Sequence, residues 1–194
     1  MHFLHRNSPF DRFEGLYLAA EKLNGTPDKK PARHQESEAG KRLVHQLAAR
    51  LLEGDQFEMK RRDSGQPYGV IGRRELGVSI AHSRFLCLAG INFHGNVGVD
   101  LEPVDRLPHP GLRQRITSPL DAGCDELETI RLWTIKEAAL KWCGTGLRVA
   151  MKSVMVKQLE ESFFKISIEN ISALLISLQY QQHWVAVAFD QTQV

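Results

Sequence analysis

The sequence predicts an α+β fold of two similar α/β lobes in a pseudo-twofold arrangement, each with a mainly antiparallel sheet packed on a long helix. Three observations predict this fold. Apolar residues follow a helical period once in each half of the chain, strand-like segments follow each helix, and short turns separate consecutive strands. A length of 194 residues is enough for two small lobes packed together. We predict an N-terminal lobe over residues 1–102 and a C-terminal lobe over residues 103–194.

The N-terminal half contains one predicted helix and three predicted strands. Residues 7–35 are expected to be irregular, because prolines and mixed charges interrupt them. From Glu36 an apolar stripe predicts a helix that ends near Gly54. The stripe consists of Ala39, Leu43, Val44, Leu47, Ala48 and Leu51. After a turn over residues 61–68, three strands are predicted to form an antiparallel meander. These strands are residues 76–81, 85–92 and 97–102.

The C-terminal half begins with a loop over residues 103–123, which includes a short predicted helix near Leu112–Ile116. A second long helix is predicted over residues 125–142, and the glycines of residues 144–146 end it. Its buried stripe consists of Leu132, Ile135, Ala139 and Trp142. Four strand-like segments follow, at residues 149–156, 163–168, 173–179 and 184–189.

Composition argues against several classes of function. Lys and Arg number 25 against 23 Asp and Glu, so the formal charge of +2 gives no reason to predict nucleic-acid binding. The first residues lack the apolar core of a signal peptide, and no apolar stretch reaches the length of a membrane span. The three cysteines form neither a disulfide framework nor a zinc pattern. We therefore expect a cytoplasmic protein without nucleic-acid or membrane partners.

Two short segments carry the strongest functional signal. Asp100 and Glu102 are two residues apart and leave a strand on the same side. Glu137 and Lys141 are four residues apart and share the helix face opposite the buried stripe. Three carboxylates with ammonium groups beside them predict a divalent cation that holds a phosphorylated substrate. Taken singly, acidic residues at strand ends are common, and Lys136 and Lys141 could serve only as salt-bridge partners.

The same two segments resemble the paired signature of the phosphopantetheinyl transferases. They read Gly98-Val99-Asp100-Leu101-Glu102 and Trp133-Thr134-Ile135-Lys136-Glu137-Ala138-Ala139-Leu140-Lys141. Weaker matches occur upstream in the expected order, at residues 38–42, 65–68 and 79–83, so the similarity covers residues 38–147. The chain length resembles that of the surfactin-type group, whose members fold as one chain with two similar lobes and a site at their junction. The resemblance thus implies a monomer.

The resemblance implies transfer of the 4'-phosphopantetheine group of coenzyme A to a serine of an apo acyl or peptidyl carrier protein, with release of 3',5'-ADP. The metal is expected to be Mg²⁺, held by Asp100, Glu102 and Glu137, where it neutralises charge on the pyrophosphate. Glu137 is the expected general base, directly or through a water. Lys141 is expected to bind phosphate, and His82 completes the expected catalytic set.

The resemblance also implies a set of contacts to coenzyme A. The expected residues are Lys41, Arg42, Gln66, Pro67, His82, Ser83, Lys136 and Lys141. Among them, Lys41 and Arg42 lie near the start of the first helix and suit the 3'-phosphate. Gln66 departs from the lysine that is usual in the family, and a glutamine offers hydrogen bonds without charge.

An acidic apo carrier protein is the expected macromolecular partner. In the family, carriers meet the loop between the metal-binding strand and the catalytic helix. Arg106, Arg113 and Arg115, with Leu112 and Ile116 interleaved, suit an acidic amphipathic helix. We therefore expect the carrier to dock near Arg113 and Arg115.

Two other classes of function remain open. A metal-dependent pyrophosphate hydrolase that acts on nucleotides or coenzyme A needs the same cation and acids, but the chain lacks the glutamate-rich helix motif typical of such hydrolases. A non-catalytic carrier-binding protein needs neither the three acids nor Lys141. Incubation with coenzyme A alone separates the enzymes, because only a hydrolase releases 3',5'-ADP without a carrier.

Overall fold

Two antiparallel sheets and a few helices form the α+β architecture of the protein. The computed structural model describes residues 2–3, 9–23, 33–52 and 56–191. Contacts divide the chain between Val97 and Gly98 into a first and a second unit, the second being Gly98–Gln191. The α+β class is therefore confirmed, whereas the pseudo-twofold relation between two lobes stays a prediction.

The first unit is a six-stranded sheet in the order β1-β2-β6-β5-β4-β3. Its strands are β1 (His2–Phe3), β2 (Leu16–Lys22), β3 (Phe57–Arg61), β4 (Pro67–Ile71), β5 (Arg74–His82) and β6 (Leu86–Asn92). Helix α1 (Arg33–Leu51) packs on this sheet through the predicted stripe, in which Leu43, Val44 and Leu47 are fully buried. These side chains share a core with Val78, Ala89 and other residues of the strands. The predicted helix end at Gly54 lies outside the described residues.

The second unit is a five-stranded sheet in the order β7-β11-β10-β9-β8. Its strands are β7 (Val97–Pro103), β8 (Val154–Gln158), β9 (Phe163–Ile168), β10 (Ile171–Tyr180) and β11 (His183–Phe189). The short helix α2 (Leu112–Ile116) and the long helix α3 (Thr129–Trp142) precede β8. Helix α3 buries the predicted stripe against the sheet, with Leu132, Ile135 and Ala139 fully enclosed. Gly144, with φ of 74°, follows its last turn as expected.

Two predictions about the strands are wrong. Residues 16–22 are not irregular but form β2, which pairs with β6 from Leu16 opposite Asn92 to Lys22 opposite Leu86. The predicted meander holds for β5 and β6, which pair directly. Strand β7 instead lies beside β11 in the other sheet. The predicted domain limit after residue 102 therefore differs from the observed division at Val97, because β7 is an edge strand of the second unit.

The segment before α3 is irregular for longer than predicted, since α3 begins at Thr129 rather than at residue 125. Arg113 of α2 holds this segment in place by donating to the backbone carbonyls of Cys124, Asp125 and Leu127. None of the helices in the described part of the chain has the length and hydropathy that a membrane span needs.

Candidate active site

Strand β7 and helix α3 bring the two predicted motifs into direct contact. Lys141 Nζ donates to Asp100 Oδ1 at 2.8 Å and to the Val99 carbonyl oxygen at 3.1 Å. Gly98 permits this close packing: a Cβ there would lie 2.1 Å from the Ala138 carbonyl oxygen and 2.3 Å from the Trp142 nitrogen of α3. The absence of a side chain at residue 98 thus allows the acidic end of β7 to approach α3 closely.

Asp100 is buried, with 8% of its surface exposed. Its Oδ2 atom is enclosed and accepts no hydrogen bond from any group in the described residues. Burial raises the pKa of Asp100, although the neighbouring Lys141 ammonium acts in the opposite direction. An orphaned carboxylate oxygen is costly inside a protein, so this atom is well suited to a further cation.

Glu137 lies one helical turn before Lys141 and is half-buried. Burial, followed by the negative charge of Asp100, raises its pKa from 4.5 to about 7, against the lowering effect of Lys141. The charge of Glu102 also raises the pKa of Glu137. Asp100 and Glu102 are therefore both close enough to repel the charge of Glu137, which can both hold and release a proton near neutral pH.

Glu102 accepts a hydrogen bond from the guanidinium of Arg106. The Arg106 guanidinium carbon also lies 5.6 Å from the centroid of the Trp133 ring on α3. The chain turns between the two charged residues, where the Arg106 backbone nitrogen donates to the Pro103 carbonyl oxygen at 3.1 Å. The predicted carrier contact of Arg106 stays a prediction, and the structure places its guanidinium on Glu102, a candidate metal ligand.

The carboxylates do not form a ready-made metal site. Within the described ranges, no three His, Cys, Asp or Glu side chains are grouped as metal ligands. Lys141 and Arg106 already engage Asp100 and Glu102. The donor set nevertheless fits Mg²⁺, which takes oxygen ligands and keeps several waters, so that one or two direct carboxylates suffice. The orphaned Asp100 Oδ2 is the observation that favours such a cation.

Lys136 does not have the predicted role, and the structure corrects that expectation. Its side chain is fully buried, and its Nζ donates to Asp121 Oδ2 and to the Val154 carbonyl oxygen, both at 2.8 Å. Asp121 also accepts from the backbone nitrogens of Ser118 and Val156. Lys136 therefore fastens the loop before α3 to β8, and its ammonium is not accessible to coenzyme A.

His82 and Ser83 lie where β5 turns into β6. His82 is exposed and ends β5, opposite Cys87 of β6. The Ser83 hydroxyl accepts from the backbone nitrogens of Phe85 and Leu86, both at 3.2 Å. Ser83 thus shapes the turn, and its role toward coenzyme A stays a prediction together with that of His82.

Arg42 of α1 lies at the same end of the first sheet as His82. It donates to Glu21 Oε1 at 3.0 Å, and Glu21 lies opposite Cys87, which in turn lies opposite His82. Lys41 pairs with Glu38 on α1 at 2.9 Å. The sequence does not predict this contact, because Glu21 lies in a segment that the prolines indicate to be irregular.

Gln66 and Pro67 follow a tight turn at the start of β4. Gly65 adopts φ of 88° and donates to the Arg62 carbonyl oxygen at 2.7 Å. The Gln66 carbonyl oxygen accepts from the Arg62 nitrogen at 2.9 Å, and Pro67 lies opposite Arg61 of β3. The turn is confirmed, and contacts of Gln66 and Pro67 with coenzyme A stay a prediction.

Comparison with known proteins points to the class that the motifs suggested. Residues 96–191 match the sequence model of the 4'-phosphopantetheinyl transferase superfamily. The predicted superfamily resemblance is therefore confirmed over this part of the chain, which contains β7, α3 and all three carboxylates.

A curated relative supports the same class. It is a protein of Synechocystis sp. whose name describes it provisionally as a 4'-phosphopantetheinyl transferase. The two sequences are 29% identical over 162 residues, which cover 74% of this chain and 63% of the relative. The chain thus spans less than two thirds of that protein's length.

Proposed function

We propose that the protein is a 4'-phosphopantetheinyl transferase of the surfactin-type group and of the holo-acyl-carrier-protein synthase kind. It transfers the 4'-phosphopantetheine group of coenzyme A to a serine of an acidic apo carrier protein, as a cytoplasmic monomer. The observation that carries this proposal is the pairing of Asp100 with Lys141 beside Glu137, whose pKa is raised to about 7. This cluster lies inside the segment that matches the superfamily.

Glu137 is the residue that accepts the proton. The serine oxygen of the carrier attacks the β-phosphorus of coenzyme A, a new P–O bond forms, and the bond to 3',5'-ADP breaks. The serine proton passes to the Glu137 carboxylate, directly or through a water. A base with a pKa of about 7 is partly ionised at neutral pH, which matches what general-base catalysis requires.

Lys141 keeps positive charge beside the reacting phosphate. Its ammonium is held by Asp100 and the Val99 carbonyl, and 31% of its side chain remains exposed. That exposed portion supports a contact to the β-phosphate and donation of a proton to the leaving oxygen. Asp100 thus orients Lys141 while its second oxygen stays available for a cation.

Mg²⁺ is the proposed cofactor, and Asp100, Glu102 and Glu137 are the residues that would hold it. When bound, this ion would neutralise the charge that develops on the pyrophosphate. Lys41, Arg42, Gln66, Pro67, His82 and Ser83 are proposed as contacts to coenzyme A. Exposed His82 and the basic side chains of α1 support this set, since phosphates bind such donors.

The proposed carrier contact is narrowed to Arg115. Arg115 is exposed on α2, whereas the Arg113 guanidinium is occupied by three backbone carbonyls. Arg115→Glu should therefore raise the KM for an acidic carrier without changing the melting temperature. Arg113→Glu should lower the melting temperature, because it removes these three hydrogen bonds. An unchanged KM in Arg115→Glu would remove this residue from the interface.

Mass spectrometry of several apo carriers tests the activity. The wild-type protein, incubated with coenzyme A and Mg²⁺, should add one phosphopantetheine group to the carrier serine. Glu137→Gln should lose about 10²–10⁴ in rate, which is the usual contribution of a positioned base. The matched control is Glu126→Gln, which changes an exposed glutamate just before α3 and should keep full activity.

Two outcomes would reject the proposal. Near-normal transfer by Glu137→Gln would refute the assignment of the base. Release of 3',5'-ADP from coenzyme A alone, with no modified carrier, would identify a pyrophosphate hydrolase instead. Modification of one carrier among several would also identify the partner.

A further inference from the structure

Arg106 occupies a position that the proposed reaction does not explain. Its guanidinium donates to Glu102, one of the three carboxylates, and lies over the Trp133 ring. The side chain of Arg106 is 40% exposed, whereas that of Glu102 is 20% exposed. Trp133 packs against the core of the second unit and so gives the guanidinium a fixed platform. The arginine can thus leave Glu102 without disturbing the core.

Arg106 acts on the whole carboxylate cluster and not on Glu102 alone. The pKa values of Asp100 and Glu137 are raised overall, and the positive charge of Arg106 acts in the opposite direction on both. Together with Lys141, it supplies two positive charges against three carboxylates. A divalent cation that approaches the cluster therefore meets less negative charge than the three acids alone would present.

A carboxylate oxygen cannot serve two cations at full strength. A guanidinium donates through a planar fork that matches a carboxylate, and it is more weakly hydrated than an ammonium. Direct coordination through Glu102 Oε1, the oxygen that Arg106 holds, requires this hydrogen bond to lengthen or break. The energetic cost is moderate, because the pair is partly exposed to water.

We propose that Arg106 is an internal counter-ion that competes with the divalent cation for Glu102 and thereby limits the affinity of the cluster for metal. This inference rests on the proposed function, since it concerns the same carboxylates. Arg106 is a positioning residue and sets how much free metal the protein needs.

Binding of Mn²⁺ without coenzyme A or carrier tests the proposal. Free Mn²⁺ is followed by electron paramagnetic resonance during titration of the full chain. Arg106→Gln should bind Mn²⁺ about two- to fivefold more tightly than wild type, since a partly exposed charge pair contributes at most about a factor of five. Arg106→Lys keeps the charge but not the planar fork, so its affinity should lie between the two.

A matched control separates this local effect from net charge. Lys157 is exposed on β8, at the opposite edge of the same sheet from β7. Lys157→Gln removes the same charge as Arg106→Gln and should leave Mn²⁺ affinity unchanged. Melting temperatures of all variants, measured in the same buffer, establish that each one is folded.

The outcomes distinguish the two proposals. Mn²⁺ affinity in Arg106→Gln that equals or falls below that of wild type overturns the role of Arg106, even if carrier modification proceeds normally. An equal gain in Mn²⁺ affinity in Lys157→Gln also overturns the role of Arg106, because the gain would then follow from net charge alone. If wild type and Arg106→Gln both bind no Mn²⁺ and no carrier is modified, the proposed function fails together with this inference.

Discussion

The pKa of Glu137 makes a specific prediction about stability. In the folded protein it is raised from 4.5 to about 7, mainly by burial and then by the charge of Asp100. Between these two pH values the folded state binds more protons at this residue than the unfolded state does. The free energy of unfolding therefore falls as pH rises through this range. The contribution of Glu137 is fully present below pH 4.5 and is lost above pH 7.

The size of the effect follows from the two pKa values. Their difference of about 2.5 corresponds to about 3 kcal/mol, at 1.36 kcal/mol for each pKa unit. Glu137 is only half-buried, and water screens part of its interactions, so we expect about 1–2 kcal/mol. Glu137→Gln cannot titrate. Between pH 4.5 and pH 8, the unfolding free energy of this variant should therefore rise by about 1–2 kcal/mol relative to that of wild type.

Urea unfolding at pH 4.5, 6 and 8, in buffers of equal ionic strength with a chelator, measures this difference. Glu126→Gln is the matched control, because it removes an exposed carboxylate of the same unit. Other groups that titrate in this range contribute equally to the stability of each protein, so their contributions cancel when a variant is compared with wild type. If the stability difference between Glu137→Gln and wild type stays constant over these pH values, burial does not raise the pKa of Glu137 and the prediction is wrong.

Two further predictions concern the packing that assembles the site. Gly98→Ala should cost about 1–3 kcal/mol in unfolding free energy, because the added methyl group meets the backbone of α3 at Ala138 and Trp142; an unchanged urea midpoint would contradict it. Lys136→Met should cost about 3–5 kcal/mol by leaving the Asp121 carboxylate buried without its cation, and adding Asp121→Asn should recover part of the loss. If the double variant is no more stable than Lys136→Met, the lost ion pair is not the cause of the destabilisation.

The periodicity of apolar residues predicted much of the fold. It located α1, α3 and the strands β5 to β11, because burial on one face leaves a repeat in the sequence. It did not predict β1 to β4 as strands, since prolines and mixed charges indicate irregular chain over residues 7–35, and Gly65 and Pro67 indicate a turn over residues 61–68. It also could not assign β7 to a sheet. The partner of a strand depends on contacts between distant residues, and β11 lies more than eighty residues farther along the chain.

The residues that could carry the chemistry are evident from spacing alone. Asp100 and Glu102 leave one side of a strand, and Glu137 and Lys141 share one face of a helix. Which cation meets which acid depends on the packing of distant parts of the chain. Lys136 and Lys141 are five residues apart, so they leave α3 in directions that differ by about 140°. One consequently becomes buried on Asp121, and the other reaches Asp100.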